Sequence, residues 1–200
     1  MPDIAPLTTA RLYLRGVTMA DAPAIQKNFA DYEIIRHLAP IVPWPYPENG
    51  ARDFLAGVLP LQGQSRWVWA LFLKTAPDEA IGIVDLRRGE GENRGFWLAR
   101  RFWSQGLMTE ACDAVTDYAF GPLGFERLTL CNAVGNARSR RLKEKAGATF
   151  LRVEPAKFVD PALTMHEVWE LRRADWLARR KGDYSSATMF ATFRPQPDGR

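Results

Sequence analysis

Histidine and cysteine are nearly absent from this chain, which has two of each: His37, His166, Cys112 and Cys131. A structural zinc site needs four well-spaced ligands, so no metal centre is expected. Both cysteines stand among apolar neighbours. They read as reduced, buried thiols, which places the chain in the cytoplasm rather than in an oxidising compartment. No run of eighteen apolar residues occurs, so no membrane span is expected. The first residues carry no basic segment followed by an apolar one, so no signal peptide is expected either. Repeats and low-complexity tracts are also missing.

Aromatic residues, in contrast, are abundant. Seven Trp and eleven Phe among 200 residues supply the apolar area for a sizeable core without staples. That length suits one domain, taken as residues 1–181, better than two. Residues 182–200 carry Ser, Pro, Gly and Asp without periodicity and read as a loosely ordered C-terminal tail. The net charge of +4 and a pI near 9.3 suggest an anionic ligand. The excess comes from two short clusters, Arg138 to Lys145 and Arg172 to Lys181, with no nucleic-acid-binding motif beside them. A nucleic-acid partner is therefore not expected.

Periodicity lays out the elements. Arg11 to Arg15 alternate as a strand. Asp21 reads as an N-cap with Pro23 in the first turn, opening a helix to about Leu38 along Ile25, Phe29, Tyr32 and Ile35. Ala39 to Pro47 holds four prolines and must be irregular. A short helix follows over residues 48–59. Residues 67–73 and 81–86 form a hairpin, and Gly95 to Leu98 a third strand. A helix along Met108, Ala111, Cys112, Val115 and Ala119 is stopped by Gly121, Pro122 and Gly124. Arg127 to Asn132 is a strand, Ala137 to Ala146 a helix ended by Gly147, and residues 149–153 and 166–171 are final strands. The order β-α-α-β-β-β-α-β-α-β-β indicates a mixed α/β domain with helices on both faces of its sheet.

The most informative stretch runs from Phe96 to Ala111. A strand ends, a short loop with Gly106 follows, and a helix begins. The first helical amides lack partners, and the helix dipole is positive there, so an anion is welcome. Gly106 removes the side chain where backbone and phosphate must approach closely. The loop lacks both the Gly-Lys-Ser/Thr ending of a P-loop and the repeated glycines of a dinucleotide fingerprint.

Trp103, Gln105, Gly106, Thr109, Glu110 and Ala111 resemble the pyrophosphate-binding segment of the GNAT superfamily of acetyl-CoA-dependent N-acetyltransferases. The closer resemblance is to its ribosomal-protein alanine N-acetyltransferase-like (RimJ/RimL-like) branch, with Ser104 where a Gly is usual. Asn136, Ser139, Glu144, Lys145 and Gly147 resemble a second segment of that branch. Thr9 to Arg15 resembles its first strand, Val42 to Pro45 its Pro-rich acceptor loop, and Glu167 to Leu171 its last strand. The resemblance covers about residues 8–178.

The resemblance implies the GNAT fold, a central mixed, mostly antiparallel sheet splayed at its centre. It implies acetyl-CoA as cofactor and a primary amine as acceptor, with a protein or peptide N-terminal α-amine ahead of a small-molecule amine such as an antibiotic or polyamine. A binding module without turnover is a further alternative, and a homodimer stays open. The implied cofactor contacts are Phe96, Leu98, Arg100, Gln105, Gly106, Leu107, Met108, Thr109, Asn136 and Ser139. Among Arg138, Arg140 and Arg141, no choice of phosphate partner is made. Trp44 and Tyr46 are placed at the acceptor. Ser139 is the candidate acid for the departing thiolate. The family often has a Tyr four residues after that position, and this chain has Lys143 there. Glu92 is the candidate base, with Glu154, His166 and Asp85 as alternatives. Asn93 occupies the position where the branch often has a Glu.

Overall fold

The run Trp67 to Phe72 is apolar on both sides of its alternation, and a strand of that kind must be covered on both faces. In the computed structural model, which describes residues 4–180, it forms β3 (Arg66–Leu73). With β1 (Leu7–Thr8), β2 (Leu12–Gly16), β4 (Gly82–Arg87) and β5 (Arg94–Leu98) it makes an antiparallel sheet in the order β1-β2-β3-β4-β5. Trp67, Trp69 and Leu71 pack with Leu12, Leu14 and Val84 against α4 (Leu107–Phe120). Val68, Ala70 and Phe72 pack against Ile25 and Phe29 of α1 (Ala22–Phe29) and Leu55 and Val58 of α3 (Gly50–Val58). Helices thus cover both faces.

The rest of the chain builds a second antiparallel sheet from β6 (Arg127–Ala133), β7 (Thr149–Pro155) and β8 (Met165–Arg172), in the order β6-β8-β7. α5 (Ala137–Ala146) connects β6 to β7 and ends in Gly147, whose φ of 78° is the left-handed cap expected of glycine. Residues 173–180 are helical and insert Trp176 into the first core.

The sheet expected to splay at its centre does so to the point of separating into these two sheets. The start of β5 is tied to β6 through Asn93. Asn93 N donates to Thr129 O (2.8 Å), and Thr129 N donates to Asn93 Oδ1 (2.7 Å). The same side chain donates from Nδ2 to Arg87 O and Gly89 O, so it also closes the β4–β5 turn. Beyond this stitch no ladder joins β5 to β6 among the described residues.

Some expectations are corrected. The helix from Asp21 to Leu38 is broken, and α2 (Tyr32–Ile35) is separate from α1. Asp31 causes the break: its side chain accepts from Glu33 N (2.9 Å), capping a new helix instead of continuing the old one. Asp21 stands at the N-cap of α1 but does not cap it. Its carboxylate accepts from Thr18 N and binds Arg15. The short β1 and the helical residues 173–180 lack a periodicity long enough to reveal them. The expected tail, residues 182–200, lies outside the described residues.

Candidate functional site

The gap between the two sheets is the floor of a cleft of about 1020 Å³. Strand parity shows what its edges present. Ala99 N donates to Ile81 O and Arg87 N to Asn93 O, so the odd-numbered residues of β5 spend their backbone groups on β4. The even-numbered Phe96 and Leu98 therefore direct theirs into the gap. On the facing strand, Val134 N donates to Met165 O, so even positions of β6 serve β8, and Cys131 and Ala133 face the gap. Leu98 O is taken by the indole Nε1–H of Trp103 (2.7 Å), which leaves the Leu98 amide on that edge.

One end of the cleft is the loop entering α4. Gly106 is the N-cap residue at φ 77°, and the first intrahelical bond is Glu110 N to Gly106 O (3.1 Å). The amides of Leu107, Met108 and Thr109 precede that bond and lack helical acceptors. Ser104 also has a positive φ, 62°. This is a conformation L-residues with a side chain rarely adopt, and it accounts for a Gly being usual there. Glu110 holds the loop from behind. Its carboxylate accepts from Thr9 Oγ1 (2.5 Å), Arg11 N (2.7 Å) and Arg11 Nε (2.8 Å), while Arg11 Nη1 donates to Gln105 O (2.9 Å). Burial would raise the Glu110 pKa, but these hydrogen bonds outweigh it and hold it below the ordinary value. The first-strand and helix-start segments singled out separately in the sequence are thus one clamp.

Phe96, Leu98, Gly106, Leu107, Met108, Thr109, Asn136, Ser139, Tyr46 and Glu92 all line the cleft, whereas Arg100, Gln105 and Trp44 do not. Arg100 is exposed on a turn of 3₁₀ helix. Trp44 lies outside against Tyr32, ring centroids 5.2 Å apart, while Tyr46 turns inward onto Phe29. Asn136 caps α5, its Oδ1 accepting from Ser139 N (3.2 Å). Arg140 is occupied by Glu144 and Glu167 (2.8 and 2.9 Å), but Arg138 and Arg141 line the cleft, Arg138 stacked on Trp103 at 4.0 Å.

Four groups were open as the base. Asp85 is held by Arg66 in a two-pronged ion pair (2.6 and 3.0 Å). Glu154 sits on β7 with Arg152 and His166 as partners. His166 lines the cleft but is bonded to Glu154. Glu92 stands at the mouth of the gap, where its Oε1 accepts from Cys131 N (3.3 Å) across the splay. About a third of its side chain is exposed (36%) and the rest is buried, with Oε2 accepting from Arg87 Nη2 at 3.5 Å. That burial pushes its pKa above the ordinary value against the opposing charges of Arg87 and Lys143. Asn93, in the position often held by Glu, is committed to the stitch between sheets. Sequence reading had no signal for that role, because a long-range pairing leaves no local periodicity.

Residues 11–149 match the family model described as "Acetyltransferase (GNAT) domain". The chain is 30% identical over 129 residues to an N-acetyltransferase of Bacillus licheniformis named p20, covering 61% of this chain and 70% of that protein. It is 37% identical over 70 residues to Bacillus subtilis (strain 168) YdaF, to which a ribosomal N-acetyltransferase function has been ascribed. That match spans 33% of this chain and only 38% of YdaF. Among solved structures, it shares its fold with RimL, a ribosomal L7/L12 alpha-N-protein acetyltransferase in complex with coenzyme A. The TM-score is 0.71 at 16% identity, over 84% of this chain and 98% of that one.

Proposed function

The chain belongs to the GNAT acetyltransferase family, and from that membership we propose that it moves an acetyl group from acetyl-CoA to a primary amine, preferentially an N-terminal α-amine of a protein or peptide. The observation that carries the reading is the gap between β5 and β6, with backbone groups of Phe96 and Leu98 on one edge and the α4 amides at its end. An amide-bearing arm can pair with such an edge as an added strand. A pyrophosphate fits the amides of Gly106 to Thr109 at the start of α4. Arg138 and Arg141, which line the cleft, would meet the remaining phosphates, and Asn136 would hold the arm from the β6 side. Acetyl-CoA supplies an activated acyl group, so the protein's work is to position, to accept a proton and to return one.

Glu92 takes the proton of the attacking amine. Burial moves its pKa upward, toward working pH, which favours a general base. The Leu98 amide donates to the carbonyl oxygen as it gains negative charge. Ser139, buried (8% exposed) yet lining the cleft, gives a proton to the departing thiolate. Its Oγ accepts from Lys143 Nζ (2.9 Å), so its own proton is free to point at the cleft. Ser139→Ala should lower kcat while leaving acetyl-CoA affinity almost unchanged, the pattern of an interaction made in the transition state.

The acceptor assignment rests on proton chemistry. An α-amine titrates at about 7.7–8.0 and a lysine side chain at about 10.4. At neutral pH the first offers a substantial neutral fraction, and a carboxylate is base enough for it. Tyr46, Phe29 and Trp97 form an apolar wall where a peptide could lie. The names of YdaF and RimL support a ribosomal-protein N-terminus as acceptor. The test is a competition, followed as thiol release, between a short peptide with a free N-terminus and the same peptide N-blocked but carrying Lys. Faster turnover of the free N-terminus is expected. Preference for the blocked Lys peptide overturns the α-amine assignment, and inactivity on both transfers the reading to a small-molecule amine.

A further inference from the structure

α5 buries Ser139, Lys143 and Ala146 on one face, as i, i+4 and i+7 spacing dictates. A lysine there is unusual, because the ammonium must leave water. Lys143 is 1% exposed, and no carboxylate lies within ion-pair distance of it among the described residues. Its Nζ reaches Ser139 Oγ at 2.9 Å and Ser139 O at 3.4 Å, under the ring of Phe96 at 6.0 Å. The buried ammonium thus has a hydroxyl in place of a carboxylate as its nearest partner, and that hydroxyl, Ser139 Oγ, belongs to a residue lining the cleft.

We propose that Lys143 is the proton source for the departing thiolate, acting through Ser139. The proposal rests on the reading of Ser139 as the acid. As the C–S bond breaks, its electron pair stays on sulfur. The Ser139 hydroxyl proton passes to that sulfur, and an ammonium proton of Lys143 replaces it on Oγ. In the same turnover Glu92 accepts one proton from the amine. Return of that proton to Lys143 through cleft solvent and Ser139 Oγ restores both groups, so protons balance.

The surroundings tune Lys143 for this. Burial, and after it the buried guanidinium of Arg94 on β5, bring its pKa down to about 8, with Glu92, Cys112 of α4 and Cys131 of β6 pulling the other way. An ammonium with that acidity gives up a proton far more readily than an exposed lysine. Lys143 is thus a positioning and proton-supplying residue, and the group that touches the thiolate is Ser139.

The experiment compares wild type, Ser139→Ala, Lys143→Met, Lys143→Gln and the double variant Ser139→Ala/Lys143→Met. The measurements are kcat, KM for acetyl-CoA, the pH profile of kcat, and the affinity for coenzyme A relative to desulfo-coenzyme A. Lys143→Met should lower kcat by about tenfold with little change in KM. It should also remove the fall in kcat above about pH 8 and cost nothing further once Ser139 is Ala. Lys143→Gln keeps a donor to Oγ but no transferable proton, so it should not rescue kcat. Both Lys143 variants should lose the preference for the thiol-bearing ligand. Full kcat in Lys143→Met, rescue by Gln, or additive losses in the double variant would each overturn the proposal. Wild-type kcat in Ser139→Ala would remove the acid role of Ser139 and the relay with it. An impaired Ser139→Ala beside an unimpaired Lys143→Met would remove only the relay.

Discussion

Replacing Lys143 by Met should make the protein more stable at neutral pH, and the size of the gain follows from its burial. The side chain is 1% exposed, and its pKa falls from 10.5 to about 8 on folding. One pKa unit corresponds to about 1.4 kcal/mol, so holding the ammonium folded below pH 8 costs on the order of 3 kcal/mol. Between about pH 8 and 10.5 the unfolded chain binds the proton that the folded chain has released. Stability of the wild type therefore rises with pH through that window, and above it the cost is gone. Met matches the length of the stem and carries no charge. It gives up the hydrogen bond to Ser139 Oγ, worth about 1 kcal/mol. The net expectation is a gain of about 2 kcal/mol at pH 7, shrinking to nothing or reversing by about pH 10.5. Urea titrations of both proteins at pH 7, 8, 9 and 10 measure it directly. A variant less stable than wild type at pH 7, or a difference that does not change with pH, would refute the reasoning.

Further expectations concern the frame of the site. Ser104 sits at φ 62°. Ser104→Gly should leave stability within about 0.5 kcal/mol of wild type, whereas Ser104→Val should lose about 1–2 kcal/mol and weaken acetyl-CoA binding, as thermal unfolding and titration calorimetry would show. Asn93→Ala removes the side-chain bonds to Arg87 O, Gly89 O and Thr129 N. It should cost about 2–3 kcal/mol, read by urea titration, with weaker acetyl-CoA binding because the gap loses its fixed end.

How much of this was legible before the structure depends on whether the signal is local. α5 matches its expected bounds, Ala137–Ala146, because Asn136 caps it and Gly147 ends it, both visible in the chain. The two-faced burial of β3 follows from its unbroken apolar run. Asp31 defeated the helix expectation because a capping side chain can end a periodic stretch without interrupting its pattern. Within the site, the loop to α4 was readable from Gly106 and the helix that follows it. Trp44 was not, since an aromatic in a Pro-rich loop gives no sign of which way it turns. The Glu110 clamp, the Asn93 stitch and the Lys143–Ser139 contact join residues through the folded packing. Only the first had a hint in the sequence, as two motifs whose connection was invisible.

The central claim is that the gap between β5 and β6, closed by the start of α4, takes acetyl-CoA. Thermal unfolding with and without acetyl-CoA tests it in wild type, Gly106→Asn and Gly106→Asp. Gly106 stands at φ 77°, which Asn and Asp both tolerate better than other side chains, and a Cβ there meets only Arg11 Nη2 at 3.5 Å. The two variants should therefore fold alike and differ only in charge at the proposed pyrophosphate site. At a concentration a hundred times Kd, acetyl-CoA should stabilise the wild type by about 2.7 kcal/mol, a rise of roughly 5–10 °C in Tm. The rise should shrink in Gly106→Asn and vanish in Gly106→Asp. An equal rise in all three folded proteins, or none in the wild type, would contradict the assignment.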